Sequence, residues 1–272
     1  MKEHIEVRAS VSSSPGPAGS SRAVYLDHPA TSWPKPPDVV RAMGDFLENA
    51  GGNPGRSGHS LSIAAGRIVY AAREALCDFL NAPRPDRVIF TQNATHALNM
   101  VIRTVLRPGD TVLVSSAEHN SVMRPIRAAE AEGVEVLTVP CDPSGAIDPE
   151  EFRALASSGV RLVVLAHASN VIARIQPVAE LAETARSSGA MVLIDAAQTV
   201  GAIPVDVREI GADFLAFTGH KALHGPPGTG GLVLCTDRAV EQIAPLTFGG
   251  TGSGSRYETQ PEMLPDRLAA AG

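Results

Sequence analysis

Lys221 stands between His220 and His224, at the head of the glycine- and proline-rich loop Gly225-Pro-Pro-Gly-Thr-Gly-Gly231. The apolar run Phe214 to Phe217 before it has strand character and ends at Thr218 and Gly219. A lysine at the carboxyl end of a buried strand, partly desolvated and beside other cations, has a lowered pKa and can form a Schiff base with a carbonyl. The same segment also reads as a solvated loop lysine whose neighbours serve only turn chemistry.

A second reactive group lies 26 residues upstream of Lys221, at Asp195 in Met191-Val-Leu-Ile-Asp195-Ala-Ala-Gln198. Four apolar residues followed at once by an acid read as a buried parallel strand with a carboxylate at its carboxyl end, where open α/β sheets place ligand contacts. A charge there requires a cationic partner or several hydrogen bonds, and the pyridinium nitrogen of pyridoxal phosphate is such a partner. Capping of the following helix is the simpler role for Asp195 taken alone. One strand and its lysine further on, the cofactor reading is the stronger one.

These groups need strands to present them, and the chain supplies a regular alternation. Strands are predicted at 88–91, 111–115, 134–139, 161–166, 191–195, 213–217 and 231–235, with helices at 96–106, 121–132, 148–156 and 178–187. This rhythm specifies a three-layer α/β/α fold with a mainly parallel sheet covered on both faces. The turn Gln92-Asn93-Ala94-Thr95 between a strand and a helix N-terminus makes an anion site, although Asn93 or Thr95 also suits a simple helix cap. Two helices precede the sheet. One spans 38–50 with Val39, Val40, Met43, Phe46 and Leu47 at helical spacing; the other, 61–80, is expected to be a core helix carrying Cys77. The glycine-rich segment 51–59 between them places Arg56 and His59 as candidate ligand contacts or as solvated loop residues.

Composition limits the alternatives. The chain has 272 residues, 44% hydrophobic and 19% charged, enough for one large domain. A net charge of −6 gives no electrostatic footprint for nucleic acid. No apolar run approaches the ~18 residues of a membrane span. Cys77, Cys141 and Cys235 are too few and too scattered for a disulfide framework or a metal cluster, and read as reduced thiols of a cytoplasmic protein. Residues 1–22 hold a Ser/Gly/Pro/Ala run expected to form a disordered leader. The expected organisation continues with a cofactor-binding large domain over 23–245, then an interface loop and the start of a further domain over 246–272.

Seven segments, taken together, resemble the cysteine desulfurases of the class V aminotransferase family. They are Tyr25-Leu-Asp-His-Pro-Ala-Thr31, Asn53-Pro-Gly-Arg-Ser-Gly-His59, Phe90-Thr-Gln-Asn-Ala-Thr95, Glu118-His119-Asn-Ser121, His167-Ala-Ser-Asn170, Asp195-Ala-Ala-Gln198 and Gly219-His-Lys221. Gly249-Gly-Thr-Gly-Ser253 adds to the likeness. The resemblance implies a fold type I, pyridoxal-phosphate-dependent enzyme with Lys221 as the Schiff-base residue and Asp195 facing the pyridine nitrogen. It implies His119 stacking on the ring and moving protons, Gln198 at the phenolic oxygen, and Asn170 at the cofactor oxygen or substrate carboxylate. Ala94, Thr95, Thr218 and His220 would hold the phosphate, while His28 and Arg56 would face the substrate.

The implied reaction takes sulfur from L-cysteine, leaving alanine and a persulfide, in a homodimer that passes sulfur to an acceptor protein. Members of the family continue past this point into a small C-terminal domain carrying the acceptor cysteine and a carboxylate-binding arginine. No cysteine of this chain matches that acceptor position. Missing contacts with such a domain are expected to leave apolar surface exposed. His28-Pro29 stands where Asn-Ala is usual, and Ala173-Arg174 where Gly-Thr is common. A different class V transamination or β-elimination, and a fragment that binds cofactor without turnover, remain open alongside desulfuration.

Overall fold

A computed structural model describes residues 24–55, 58–156, 159–251 and 256–269. In chain order the elements are α1 (Pro37–Asn49), α2 (Ser60–Phe79), β1 (Val88–Thr91), α3 (Ala94–Val105), β2 (Thr111–Ser115), α4 (Asn120–Ala131), β3 (Glu135–Val139) and α5 (Pro149–Leu155). They continue with β4 (Val160–Ala166), α6 (Val178–Ser187), β5 (Met191–Asp195), α7 (Val207–Ile210), β6 (Phe214–Thr218), β7 (Gly230–Leu234) and α8 (Asp237–Gln242). Each strand predicted from the sequence is present, with ends shifted by no more than a residue. The short helices α7 and α8 were not anticipated, because four and six residues carry too little periodicity to read.

The strands form one sheet in the order β1-β7-β6-β5-β4-β2-β3. Neighbours from β6 through β3 are parallel, whereas β7 runs antiparallel to both β6 and β1. The sheet turns back on itself between β2 and β4, so the carboxyl ends of β1, β2, β4, β5 and β6 open on one edge, the usual place for a ligand crevice in such sheets.

Side-chain alternation divides the core in two. Val163, Leu165, Val192, Ile194, Leu215 and Phe217 pack toward α5, α6 and α7. Leu162, Val164, Met191, Leu193, Phe214 and Ala216 pack toward α3, α4 and α8. The central strands are buried on both faces, which is why they read as unbroken apolar runs. Burial of each such Val, Leu or Phe contributes about 1.5–3 kcal/mol, and this double layer holds the strand ends in register.

The two N-terminal helices differ from expectation. None of the residues of α1 is buried, and Val40, Met43 and Leu47 face outward. α2 buries Ser62, Ala65 and Cys77, while Leu61, Ile68 and Phe79 of its predicted core face are exposed. It is therefore not a core helix within the described residues; helical periodicity identifies an apolar face but not what covers it. Cys77 is enclosed, as expected of a small hydrophobe, with Sγ 3.3 Å from the Ala82 carbonyl. No helix of the described residues is long and apolar enough to cross a membrane.

Ala173 adopts φ +54° in the turn after β4, a conformation that glycine reaches without cost and other residues do not. Two backbone bonds pin it there, Ala173 N to the Ser169 carbonyl at 3.1 Å and Ser169 N to the Arg174 carbonyl at 3.0 Å. Relief of the left-handed backbone, about 1–2 kcal/mol, outweighs the roughly 0.5–1 kcal/mol entropic cost of a glycine, so Ala173→Gly is expected to raise the urea midpoint; a lower midpoint would show that the strain in this turn is smaller than the cost of the glycine.

Candidate active site

Five strand ends wall a cavity of about 520 Å³, within the ~300–1,000 Å³ common for small-molecule sites. Asn93, Ala94 and Thr95 come from the end of β1, His119 and Ser121 from the end of β2, and Ser169 and Asn170 from the end of β4. Asp195, Ala197 and Gln198 follow from β5, Thr218, His220 and Lys221 from β6, and the arm before α1 adds Asp27 and Pro29.

Asp195 is 7% exposed. Its Oδ1 accepts a hydrogen bond from Ala197 N at 3.0 Å. Desolvation pushes its pKa up, opposed by that bond and by the charges of Lys221 and His119. Another buried acid, Asp213, makes the contrast: at the opposite end of the sheet, Val192 N bonds its Oδ2 and Thr236 Oγ1 its Oδ1. Asp213 is a structural clip, whereas Asp195 is an acid held in a cavity wall.

Lys221 is half-buried, and desolvation lowers the pKa of its amine, with Asp195 pulling it partly back. That raises the fraction of neutral, nucleophilic amine. Close packing fixes the backbone around it. Gly219 N bonds the Thr229 carbonyl at 2.8 Å, Gly225 N the Gly219 carbonyl at 2.7 Å, and His224 N the Lys221 carbonyl at 2.8 Å. A Cβ on Gly219 would lie 2.3 Å from Thr229 Oγ1; only glycine fits there.

The turn after β1 has the form of an anion cradle. Asn93 caps α3, its side-chain oxygen accepting from His96 N at 2.9 Å, which leaves the free amides and dipole of the helix N-terminus directed at the cavity. A Cβ on Gly230 would lie 2.7 Å from Asn93 Cα, so glycine is what lets β7 approach this turn. Thr95 Oγ1, Ser121 Oγ and His119 Nδ1 form a chain with steps of 2.8 and 2.8 Å. His119 also caps α4, with Nδ1 accepting from Ser121 N at 3.1 Å.

Of the residues selected from the sequence, Ala94, Thr95, His119, Asn170, Asp195, Gln198, Thr218, His220 and Lys221 all border this one cavity. Three are not placed there, among them His59, which caps α2 with Nδ1 accepting from Ser62 N at 3.2 Å. Arg56 lies outside the described residues. His28 is not on the wall: it meets Tyr25 edge-on, with ring centroids 5.0 Å apart, and its neighbours Asp27 and Pro29 take the wall positions. Motif position alone could not say which of three consecutive arm residues turns inward. Gln198 Nε2 donates to the Pro29 carbonyl at 3.1 Å, and Thr218 Oγ1 donates to the Thr229 carbonyl at 3.3 Å, so both side chains also tie the wall together.

Sequence reasoning passed over Glu118 and Ser121 as functional groups, although both lie inside a quoted motif. Glu118 as a residue is half-buried, yet its carboxyl is enclosed: Oε1 accepts from Ser115 Oγ at 2.6 Å and Ala166 N at 3.0 Å, and buried Oε2 has no partner. It thus joins the ends of β2 and β4. An acid following an apolar strand was the available signal, as at Asp195.

A family model described as aminotransferase class-V matches residues 24–268. The chain belongs to the class V aminotransferase family. A probable cysteine desulfurase of Methanothermobacter thermautotrophicus is 41% identical over 228 residues, covering 84% of this chain and 56% of that protein. A cysteine desulfurase of Pectobacterium atrosepticum is 35% identical over 83% of this chain and 56% of its own length. The apo structure of the cysteine desulfurase of Thermococcus onnurineus superposes with a TM-score of 0.84 at 31% identity, covering 92% of this chain and 62% of that one. A structure of SspA in complex with cysteine gives 0.76 at 26% identity, covering 83% of this chain and 65% of that one. The chain spans a little over half the length of these curated relatives.

Class V aminotransferases depend on pyridoxal phosphate, and the residues present fit it. A phosphate needs a helix N-terminus with free amides, a protonated pyridine needs a buried acid, and an aldehyde needs a desolvated amine. The turn before α3, Asp195 and Lys221 supply all three in one cavity.

Burial pushes the Glu118 carboxyl up to about 8, assisted by the charge of Asp195 and opposed by the Ser115 and Ala166 bonds. Between the ordinary value of 4.5 and about 8 the folded state keeps a proton that the unfolded chain has lost. The stability Glu118 contributes is therefore fully present below pH ~4.5 and lost as pH rises through ~8. Glu118→Gln is expected to flatten the decline in unfolding free energy between pH 5 and 8 without abolishing it, because Asp195 shares the sign. The same dependence of unfolding free energy on pH in parent and variant would refute the assignment.

Proposed function

We propose that this chain forms the cofactor-binding unit, over residues 23–245, of a pyridoxal-phosphate-dependent cysteine desulfurase. The observation that carries the reading is the pairing, on one cavity wall, of a desolvated amine at Lys221 with a buried acid at Asp195. The relatives named cysteine desulfurase and the structure of SspA with cysteine support cysteine as the substrate.

In this reading Ala94 and Thr95 receive the cofactor phosphate at the N-terminus of α3, with Thr218 and His220 approaching from β6. Asp195 offers its carboxylate to the ring nitrogen, and Gln198 its amide to the ring oxygen. When bound, the group supplies an electron sink for breaking bonds at an amino acid's α- and β-carbons. Lys221 would hold the cofactor through its amine, and the same amine, when free, would carry protons. His119 Nδ1 is tied to Ser121 Oγ, which leaves Nε2 for proton transfer at the substrate; Asn170, at the mouth, serves the substrate carboxylate.

The departing sulfur needs a thiolate acceptor. Cys77 is buried and Cys235 partly so, with burial raising both thiols, and none of the three free cysteines lines the cavity. The reading therefore assigns the acceptor thiol to a segment or partner protein outside these residues. A homodimer and a cytoplasmic, reducing setting belong to the same reading, the latter suited to three free thiols.

Protein incubated with pyridoxal phosphate is expected to show a long-wavelength absorption band that is absent in Lys221→Ala and shifts on addition of cysteine. Alanine should form in the presence of an added thiol acceptor. His119→Ala should slow turnover by about 10²–10⁴-fold, the usual contribution of a positioned proton-transfer group. Pyruvate in place of alanine would assign β-elimination instead, and a band that cysteine leaves unchanged would remove cysteine as substrate.

A further inference from the structure

The chain contains three lysines, Lys2, Lys35 and Lys221, and two of them meet at one peptide. Lys35 precedes α1, yet its Nζ lies 2.7 Å from the backbone carbonyl oxygen of His220, the residue before Lys221. The same ammonium donates to Ser32 Oγ at 2.8 Å. Around the His220 carbonyl stand Ser32 N at 3.1 Å, Ser32 Oγ at 3.1 Å and Thr31 Oγ1 at 3.0 Å. Thr31 Oγ1 is also 3.1 Å from His220 Nδ1, so its single proton serves either the carbonyl or the ring.

More donors surround this oxygen than its two lone pairs can accept, and the charged donor is the shortest. Hydrogen bonds from an ammonium are roughly twice as strong as neutral ones. The arm that brings Lys35 there is itself tied down. Tyr25 Oη donates to the Thr31 carbonyl at 2.8 Å, and Gln198 fastens the Pro29 carbonyl beside Asp195. On the far side of Lys221 there is no slack either, because a Cβ on Gly201 would lie 2.8 Å from the Ala222 carbonyl carbon.

We propose that Lys35 is a positioning residue for Lys221, its ammonium clamping the His220–Lys221 peptide so that the Lys221 amine is presented to the cavity. Lys35 is not on the cavity wall and acts through this carbonyl. The charges of Lys221 and Lys35, added to desolvation, also hold His220 below the usual histidine range, so the ring beside the clamp is neutral and free to accept from Thr31. The proposal rests on Lys221 being the reacting amine, and its test separates the two ideas.

Lys35→Met keeps the aliphatic stem and removes the charge; Lys35→Arg keeps a cation. In cofactor-free protein, amide hydrogen exchange over residues 219–225 is expected to rise about tenfold or more in Lys35→Met, the factor for losing ~1.4 kcal/mol or more of a charge-assisted bond. Exchange in β4 and β5 should be unchanged, and Lys35→Arg should recover most of the protection. Borohydride trapping of pyridoxal phosphate on the Lys221 peptide, followed by mass spectrometry, should be slowed similarly in Lys35→Met and restored in Lys35→Arg. Unchanged exchange at 219–225, a uniform rise across the sheet, or no recovery by arginine would each overturn the proposal. Should Lys35→Met fail to fold, Thr31→Val with Ser32→Ala removes the two hydroxyl donors while leaving Lys35 and the Ser32 amide, and a tenfold or greater rise of exchange over 219–225 in that variant would equally overturn it. Absence of any label on Lys221 in the parent protein would instead refute the reading of Lys221, leaving the exchange result to judge the clamp.

Discussion

A buried acid and a partly desolvated amine, on one wall of one cavity, are the condition on which the site depends. Asp195 resists ionisation because burial withdraws its solvent, and Lys221 resists protonation for the same reason. Each partly relieves the other, since the electrostatic effect of each on the other opposes the shift caused by burial. Neither is fully compensated within the protein, and a cationic ring nitrogen bonded to Asp195 would complete what Lys221 only begins. Binding that settles a buried charge also stabilises the fold that buried it.

The sheet exists in the form needed to hold that arrangement. Strands packed on both faces cannot slide by one residue without turning side chains destined for α6 toward α3, so the carboxyl ends of β5 and β6 stay level. Alternation of the kind seen in Met191 to Ile194 is therefore more than core filling. It is what makes the height of Asp195 above the sheet reproducible.

Much of this was readable in the sequence because the signals were local. An apolar run ending in an acid, an apolar run ending before a lysine, and a strand-turn-helix with Asn93 at the cap each lie within ten residues. What could not be read was long-range or depended on neighbours. The exposed face of α2 has the periodicity of a core helix, and only the surroundings show that Leu61, Ile68 and Phe79 lack a cover among the described residues. His28 lost its expected place to Asp27 and Pro29 because the direction of an irregular arm is set by contacts such as Gln198 with Pro29, 169 residues apart. Glu118 looked like one more polar residue of a motif, and its importance appears only when the Ala166 amide reaches it from another strand.

β7 has a mechanical consequence. Its first residue, Gly230, pairs on one side with Thr91, just before the α3 cradle, and on the other with Thr218, just before the lysine loop. The two poles of the cavity, one suited to an anion and one carrying the amine, are thus rungs of a single backbone ladder. The separation of the backbones that carry them is therefore set by peptide geometry, and the Lys221 side chain is what remains adjustable between the two poles.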